Sequence, residues 1–252
     1  MVPVSLCDEI TVEASSSPAG IVVTCDDPTV PGDETNLAYR AASLLCKETG
    51  THVKVAIDLH KRIPAGAGLG GGSSNAAAVL KSLNTLLSLG LSEARLCAFG
   101  ARLGADVPFF IPCRPAKVEG IGEILTAVSS LPSRWLVIVV PPFGVSTPWA
   151  YRRFDELPLP ETLPQHVAAQ WPSPESLVND LERAVIPAYP QIGRIKDSLL
   201  HLGAEGALMS GSGSAVFGVF QSRTVAAQAK VALIEEGKTF LVELLAESPA
   251  TV

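Results

Sequence analysis

The sequence runs to 252 residues, of which 47% are hydrophobic and 17% charged, and this much apolar material offsets the entropy of ordering a backbone, so intrinsic disorder is excluded. The formal net charge is -6 and the lysines and arginines gather into no stripe, which removes the electrostatic footprint of a nucleic-acid binder while leaving room for an anion held by backbone N–H groups. Cys7, Cys25, Cys46, Cys97 and Cys113 are odd in number and form no Cys-x-x-Cys pair, so a disulfide framework and a zinc site are both disfavoured and the cysteines read as small buried hydrophobes.

In chain order, Glu9 to Cys25 holds two short runs rich in Val, Ile and Thr, broken by the turn-forming stretch Ser15 to Gly20, which predicts a hairpin. Leu37, Ala41, Leu44 and Leu45 recur at helical spacing behind the capping candidates Asp33 to Asn36 and ahead of Gly50, which predicts a helix. Val53, Val55 and Ile57 alternate with polar neighbours, so Thr51 to His60 reads as a strand that runs straight into a glycine-rich loop. Helices are predicted over Ser74 to Leu89 and Ser92 to Leu103, the second with Ser92 as N-cap and Gly104 just past its end. Trp135 to Val140 reads as a buried strand, and Pro158, Pro160, Pro164, Pro172 and Pro174 break the next stretch into loops and short helices. The last third alternates helix (Pro190 to Leu202), strands (Gly206 to Met209, Ala215 to Phe220), helix (Thr224 to Glu236) and strand (Lys238 to Leu244), an α+β sandwich pattern. Two domains are expected, residues 1–132 and 133–252, with a boundary near Leu131 to Ser133. The start of the chain lacks the basic and apolar regions of a signal peptide, and Trp135 to Val140, the longest apolar stretch, is too short to cross a bilayer, so a cytoplasmic protein without a membrane partner is expected.

Three segments carry chemistry. Pro64 to Ser74 holds five glycines, Gly66, Gly68, Gly70, Gly71 and Gly72, and such a run lets several backbone N–H groups converge on one anion while the helix behind it aims its positive end at the same place. Ser73, Ser74 and Asn75 either cap that helix or present polar groups to a phosphate or its magnesium ion. A flexible linker or a tight packing loop is the competing reading, and the position between a strand pattern and a capped helix speaks against a linker. No Lys-Ser/Thr pair closes the loop and no acidic ribose ligand follows a second strand, so it matches neither the Walker A nor the dinucleotide fingerprint. Gly104 to Phe110 places the single carboxylate of Asp106 in an apolar run, where it reads either as a tunable base or as a turn residue at a helix end. Met209 to Ser214 is a second small-residue loop between strand-like runs, either an anion-binding turn or an ordinary hairpin.

The pattern Pro-x-x-x-Gly-Leu-Gly-x-x-Ser-Ser-Asn-Ala-Ala, beginning at Pro64, resembles the second motif of the GHMP kinases, a superfamily that includes galactokinase, homoserine kinase and mevalonate kinase. With GADVPFF and SGSGSAVF added, the set is similar to the branch of that superfamily that acts on a cytidine diphosphate ester of methylerythritol in the non-mevalonate route to isoprenoid precursors. The resemblance implies a two-domain α+β fold: an N-terminal domain like domain 2 of ribosomal protein S5 and a ferredoxin-like C-terminal domain. It implies ATP and Mg2+ as cofactors, a small-molecule substrate, and a monomer or homodimer. It further implies that Asp106 is the catalytic base, that Pro64, Ala65, Gly66, Ala67, Gly68, Leu69, Gly70, Gly71, Gly72, Ser73, Ser74 and Asn75 hold the ATP phosphates, that Asn36 lies near the ATP base, and that Gly211, Ser212 and Gly213 lie near the substrate's diphosphate. No metal ligand is assigned. Homoserine and mevalonate kinases share the glycine loop but are not expected to carry GADVPFF, and a nucleotide-binding module without turnover is the reading from a different class. Family members open with Pro-Ala-Lys-x-Asn-Leu and a Gly-Tyr-His segment, and neither occurs ahead of Asp8. The expectation is therefore a wrong or internal start in preference to a shortened, inactive relative, with the chain as written less stable than a version extended upstream and inclined to associate through an exposed strand edge.

Overall fold

A computed structural model describes residues 1–16, 18–128, 131–158 and 177–246. The chain forms two compact units: Met1–Ala65 with Gly70–Ser130 and Leu245–Val252, and Gly66–Leu69 with Leu131–Leu244. They are not two consecutive lengths of chain, because four residues of the glycine-rich loop belong to the second unit.

In the first unit, β1 (Glu9–Ser15) and β2 (Gly20–Cys25) do not form the expected hairpin. Strand β3 (Lys54–His60) lies between them, antiparallel to β1 with Val12 opposite Ile57 and parallel to β2 with Val23 opposite Ile57. The period-2 pattern of a strand marks which face is buried, not which neighbour it pairs with, and β3 has the most completely buried face of the three: Val55, Ile57 and Leu59 are closed to solvent. That face packs with α1 (Leu37–Thr49) and α2 (Gly71–Leu86). Ala38, Ala41 and Ala42 on α1 and Ala76 and Ala77 on α2 are fully buried, and residues this small let the two helix backbones approach closely. Leu45, Leu80 and Leu83 fill the remaining space, each contributing about 1.5–3 kcal/mol by burial. Helix α1 is capped as its sequence predicts, with Asn36 accepting from Ala38 N–H and Gly50 in the left-handed region behind it. Helix α3 (Glu93–Leu103) has Ser92 as N-cap, accepting from Arg95 N–H, whereas Gly104 is extended rather than left-handed. The short α4 (Val107–Phe110) follows, then a ribbon unforeseen in the sequence: β4 (Ala116–Glu119) antiparallel to β5 (Ile124–Ala127). These strands are largely solvated and only four residues long, so the alternation of Ala116–Glu119 is too short to stand out and Ile124–Ala127 shows none.

The second unit is built on a four-stranded antiparallel sheet in the order β7-β8-β6-β9, from β6 (Trp135–Val140), β7 (Gly206–Met209), β8 (Val216–Phe220) and β9 (Lys238–Glu243). Helices α5 (Thr147–Asp155) and α6 (Glu182–Val185) lie between β6 and α7 (Pro190–His201) along the chain, and α8 (Arg223–Ala232) joins β8 to β9. The β6–α7–β7–β8–α8–β9 order on this sheet is the ferredoxin-like arrangement. Val137 and Val139 pack with Ile192, Ile195 and Leu199 of α7 and with Ala226 and Ala229 of α8 to form the core. The predicted helix over Thr224 to Glu236 stops earlier, and a short 3-10 turn at Ile234–Glu236 replaces its end. Pro160, Pro164, Pro172 and Pro174 lie outside the described residues.

Candidate active site

The glycine-rich loop is two structures. Its first half belongs to the second unit, where Ser210 Oγ donates to Gly68 O at 2.8 Å and Ala215 N–H donates to Ala67 O at 3.1 Å. Gly68 sits at φ +77°, and a Cβ there would lie 2.3 Å from Ser210 O, so no other residue fits without moving backbone. Its second half opens α2 in the first unit. The expected helix start at Ser73 or Ser74 is corrected to Gly71, with Gly70 as a left-handed N-cap that offers no side chain. Ser73, Ser74 and Asn75 are therefore inside the first turn rather than caps. Ser74 Oγ turns back onto Gly71 O at 2.8 Å, and Asn75 is buried at 4% exposure. Among the described residues, the N–H groups of Gly71, Gly72 and Ser73 have no protein partner, as the geometry of a helix start dictates. With no capping side chain in front of them, these N–H groups and the helix dipole suit an external anion.

The Met209–Ser214 segment does join two paired strands, with Met209 opposite Val216, but its side chains show that it is more than a turn. Ser210 holds Gly68, Ser212 Oγ lies 2.8 Å from Thr147 Oγ1 on α5, and Ser214 Oγ donates to Phe143 O at 2.6 Å. Every hydroxyl of SGSGS is thus engaged inside the unit. Ser212 is buried at 7% exposure and Gly211 is exposed, so the loop meets solvent with its backbone.

Asp106 occupies the residue before α4, yet its carboxylate caps nothing. It is exposed and has no hydrogen-bond or ion-pair partner among the described residues. The turn between β4 and β5 presses on the preceding peptide: a Cβ on Gly122, at φ +119°, would lie 2.0 Å from Ala105 O. A carboxylate with no structural duty, on a backbone held this closely, is available for chemistry.

A family model described as GHMP kinases N terminal domain matches residues 36–113, and one described as GHMP kinases C terminal matches residues 167–239. The chain is 48% identical over 228 residues to the 4-diphosphocytidyl-2-C-methyl-D-erythritol kinase of Citrifermentans bemidjiense, covering 90% of this chain and 81% of that one. It is 45% identical over 245 residues to the enzyme of the same name from Geobacter metallireducens, covering 96% and 87%. The chain belongs to this family of GHMP kinases. A crystal structure titled 4-(cytidine 5'-diphospho)-2C-methyl-D-erythritol kinase superposes with a TM-score of 0.79 at 39% identity, covering 96% of this chain and 88% of that one. Homoserine kinase from Cytophaga hutchinsonii superposes with a TM-score of 0.76 at 21% identity, covering 95% and 86%, a likeness of fold alone.

Against this family background, several residues gain a position that sequence reading did not supply. Asn36, expected near the ATP base, directs Oδ1 to Ala38 N–H at 2.8 Å and Nδ2 to Pro31 O at 2.7 Å, so its side chain is occupied in holding its own helix. Lys61 forms an ion pair with Asp8 whose side chains are 6% and 1% exposed, and Asp8 also accepts from the N–H groups of Arg62 and Ile63, both at 2.8 Å. A Cβ on Gly71 would lie 3.2 Å from Lys61 Nζ, so this ammonium stands directly behind the first residue of α2. Asp8 and Lys61 are far apart in the sequence and belong to no short motif, so only pairing of β1 with β3 brings them together. None of the five cysteines forms a disulfide, they are half-buried rather than buried as expected, and burial pushes the thiols of Cys7, Cys46 and Cys97 above their ordinary value, away from nucleophilic use at neutral pH. Among the described residues no group of three or more His, Cys, Asp or Glu can hold a metal ion, and no helix is long and apolar enough to cross a membrane.

Proposed function

We propose that this protein transfers the γ-phosphoryl group of ATP to the 2-hydroxyl of 4-diphosphocytidyl-2-C-methyl-D-erythritol, with Asp106 as the general base. The observation that carries the assignment of Asp106 is its exposed carboxylate at the start of α4, without a cap bond or an ion pair among the described residues. Family membership supports the substrate: relatives 48% and 45% identical to this chain over the aligned residues bear that name.

Phosphoryl transfer asks for alignment and charge neutralisation more than for covalent chemistry. The partnerless N–H groups of Gly71, Gly72 and Ser73 and the positive end of α2 take up negative charge on the ATP phosphates. Asp106 orients the acceptor hydroxyl and takes its proton, and the loop Gly211–Gly213, exposed at Gly211, is assigned by resemblance to the substrate's diphosphate. Magnesium is commonly carried by nucleotide phosphates with few protein ligands. The Ser73 hydroxyl in the first turn of α2 is the oxygen this loop offers to it, and the ion supplies charge neutralisation when bound.

Steady-state kinetics with ATP and the cytidine diphosphate substrate, beside calorimetric titration with ATP, tests the reading. Asp106→Asn is expected to lower turnover by about 10²–10⁴-fold while the ATP dissociation constant stays within about twofold. Retained turnover would remove Asp106 from the base role. ATP binding by the unaltered protein without substrate-dependent ADP release would make it a nucleotide-binding module instead.

A further inference from the structure

We propose that Asn179 and Glu182 are positioning residues that set the geometry of the substrate-side loop and, through it, of the first half of the glycine-rich loop. Their side chains grip the backbone of Met209 and Gly211 from the start of α6. The inference rests on the proposed role of these two loops in phosphate binding.

Asn179 Nδ2 donates to Met209 O at 2.9 Å and to Gly211 O at 2.8 Å, while Oδ1 accepts from Leu181 N–H at 3.1 Å. The two carbonyls bracket Ser210. An amide is the side chain of this size that offers two N–H donors and an acceptor at once. An aspartate of the same shape would set oxygen against both carbonyls. Glu182 completes the grip: Oε1 accepts from Met209 N–H at 2.9 Å and Oε2 accepts from Lys196 Nζ at 2.5 Å, with the two side chains 14% and 25% exposed. The N–H and the C=O of Met209 are thus both held by side chains, at the end of the strand pair where Met209 lies opposite Val216.

What they hold is the hinge point of the loop. Next to Met209, Ser210 N–H donates to Ala215 O at 2.8 Å, Gly213 N–H donates back to Ser210 O at 2.9 Å, and Ser210 Oγ fastens Gly68. Ala215 N–H fastens Ala67. The chain of contacts therefore runs from Asn179 and Glu182 through Met209 and Ser210 to Gly68, all within one compact unit. A backbone anion site depends on where its N–H groups point, and displacements of about 1 Å cost large factors in affinity or rate. Neither Asn179 nor Glu182 needs to touch a ligand for its loss to be felt by one.

The test is calorimetric titration of the full chain with ADP and with cytidine diphosphate, beside steady-state kinetics and a thermal melt, for the unaltered protein, Asn179→Asp, Glu182→Ala and Glu182→Gln. Asn179→Asp and Glu182→Ala are expected to weaken both ligands about tenfold or more and to raise KM for both substrates by a similar factor. Glu182→Gln keeps an acceptor for Met209 N–H, so it restores affinity to within about threefold even though its melting temperature falls with loss of the Lys196 pair. Unchanged affinities in folded Asn179→Asp, or equal weakening in Glu182→Ala and Glu182→Gln, would overturn the proposal. If Asn179→Asp does not fold, the two Glu182 variants decide it. An unaltered protein that binds neither ligand would instead overturn the reading of the loops as phosphate sites.

Discussion

The two halves of the glycine-rich loop, adjacent in the chain and alike in composition, are held by different physics. Gly66–Leu69 is fixed from outside: the hydroxyl of Ser210 and the N–H of Ala215 bind its carbonyls, and Gly68 is packed too closely against Ser210 for a side chain. Gly70–Ser74 is fixed from within, by the hydrogen-bond ladder of α2 and by the apolar burial of that helix against β3 and α1. The first half is placed by a loop distant in sequence, whereas the second is placed by its own helix.

Substitutions aimed at each half sharpen the difference. The largest effect is expected on the helical half from Lys61→Met, which leaves Asp8 as a buried charge without its cation and costs about 3–5 kcal/mol in urea unfolding. A loss below about 1 kcal/mol would show that the two N–H groups of Arg62 and Ile63 suffice for Asp8. On the loop-held half, Gly68→Ala is expected to cost about 1–3 kcal/mol through overpacking and a strained left-handed backbone, with ATP affinity falling more steeply than stability. Equal stability and affinity would mean that the Ser210 loop moves aside freely. Asn36→Ala removes the cap of α1, whose Leu37 side chain lies 3.6 Å from where a Gly72 Cβ would be, and should cost about 1 kcal/mol with ATP affinity unchanged. A marked loss of ATP affinity there would return Asn36 to the nucleotide site.

The smallest effect concerns pH. Asp26, at the end of β2, accepts from Lys61 N–H at 2.8 Å, and this hydrogen bond holds its carboxyl below the ordinary value of 3.8, with His60 assisting. A depressed pKa in the folded state contributes stability that is present above the ordinary value and is lost as pH falls through the depressed one. Asp26→Asn should therefore lower the urea midpoint slightly at pH 7, leave it nearly unchanged at the acid end, and so flatten the fall between the two. An unaltered pH profile would show that the bond to Lys61 N–H does not depress the carboxyl in the folded protein.

Much of the fold was legible because its signals are local. The caps of α1 and α3, the buried run of β6 and the limits of β7 follow from spacing and side-chain type within a few residues. The start of α2 was misjudged by three residues because glycine carries no helix signal of its own, and a Gly70 cap shows only in its dihedral angles. Asp106 stood out as one carboxylate in an apolar run, whereas Asn179 and Glu182 looked like ordinary polar residues until the strands beside them were in place.

By itself, then, the sequence determined that this chain folds into α and β elements with a glycine-rich loop between a strand and a helix, and its motifs pointed to the family. Tertiary structure alone decided that β3 separates β1 from β2, that Asp8 meets Lys61 behind α2, and that the glycine-rich loop is shared between two units. Capping, periodicity and backbone freedom act over a few residues, but strand pairing and the hydrogen bonds of a loop to a distant carbonyl depend on partners that the local pattern does not name.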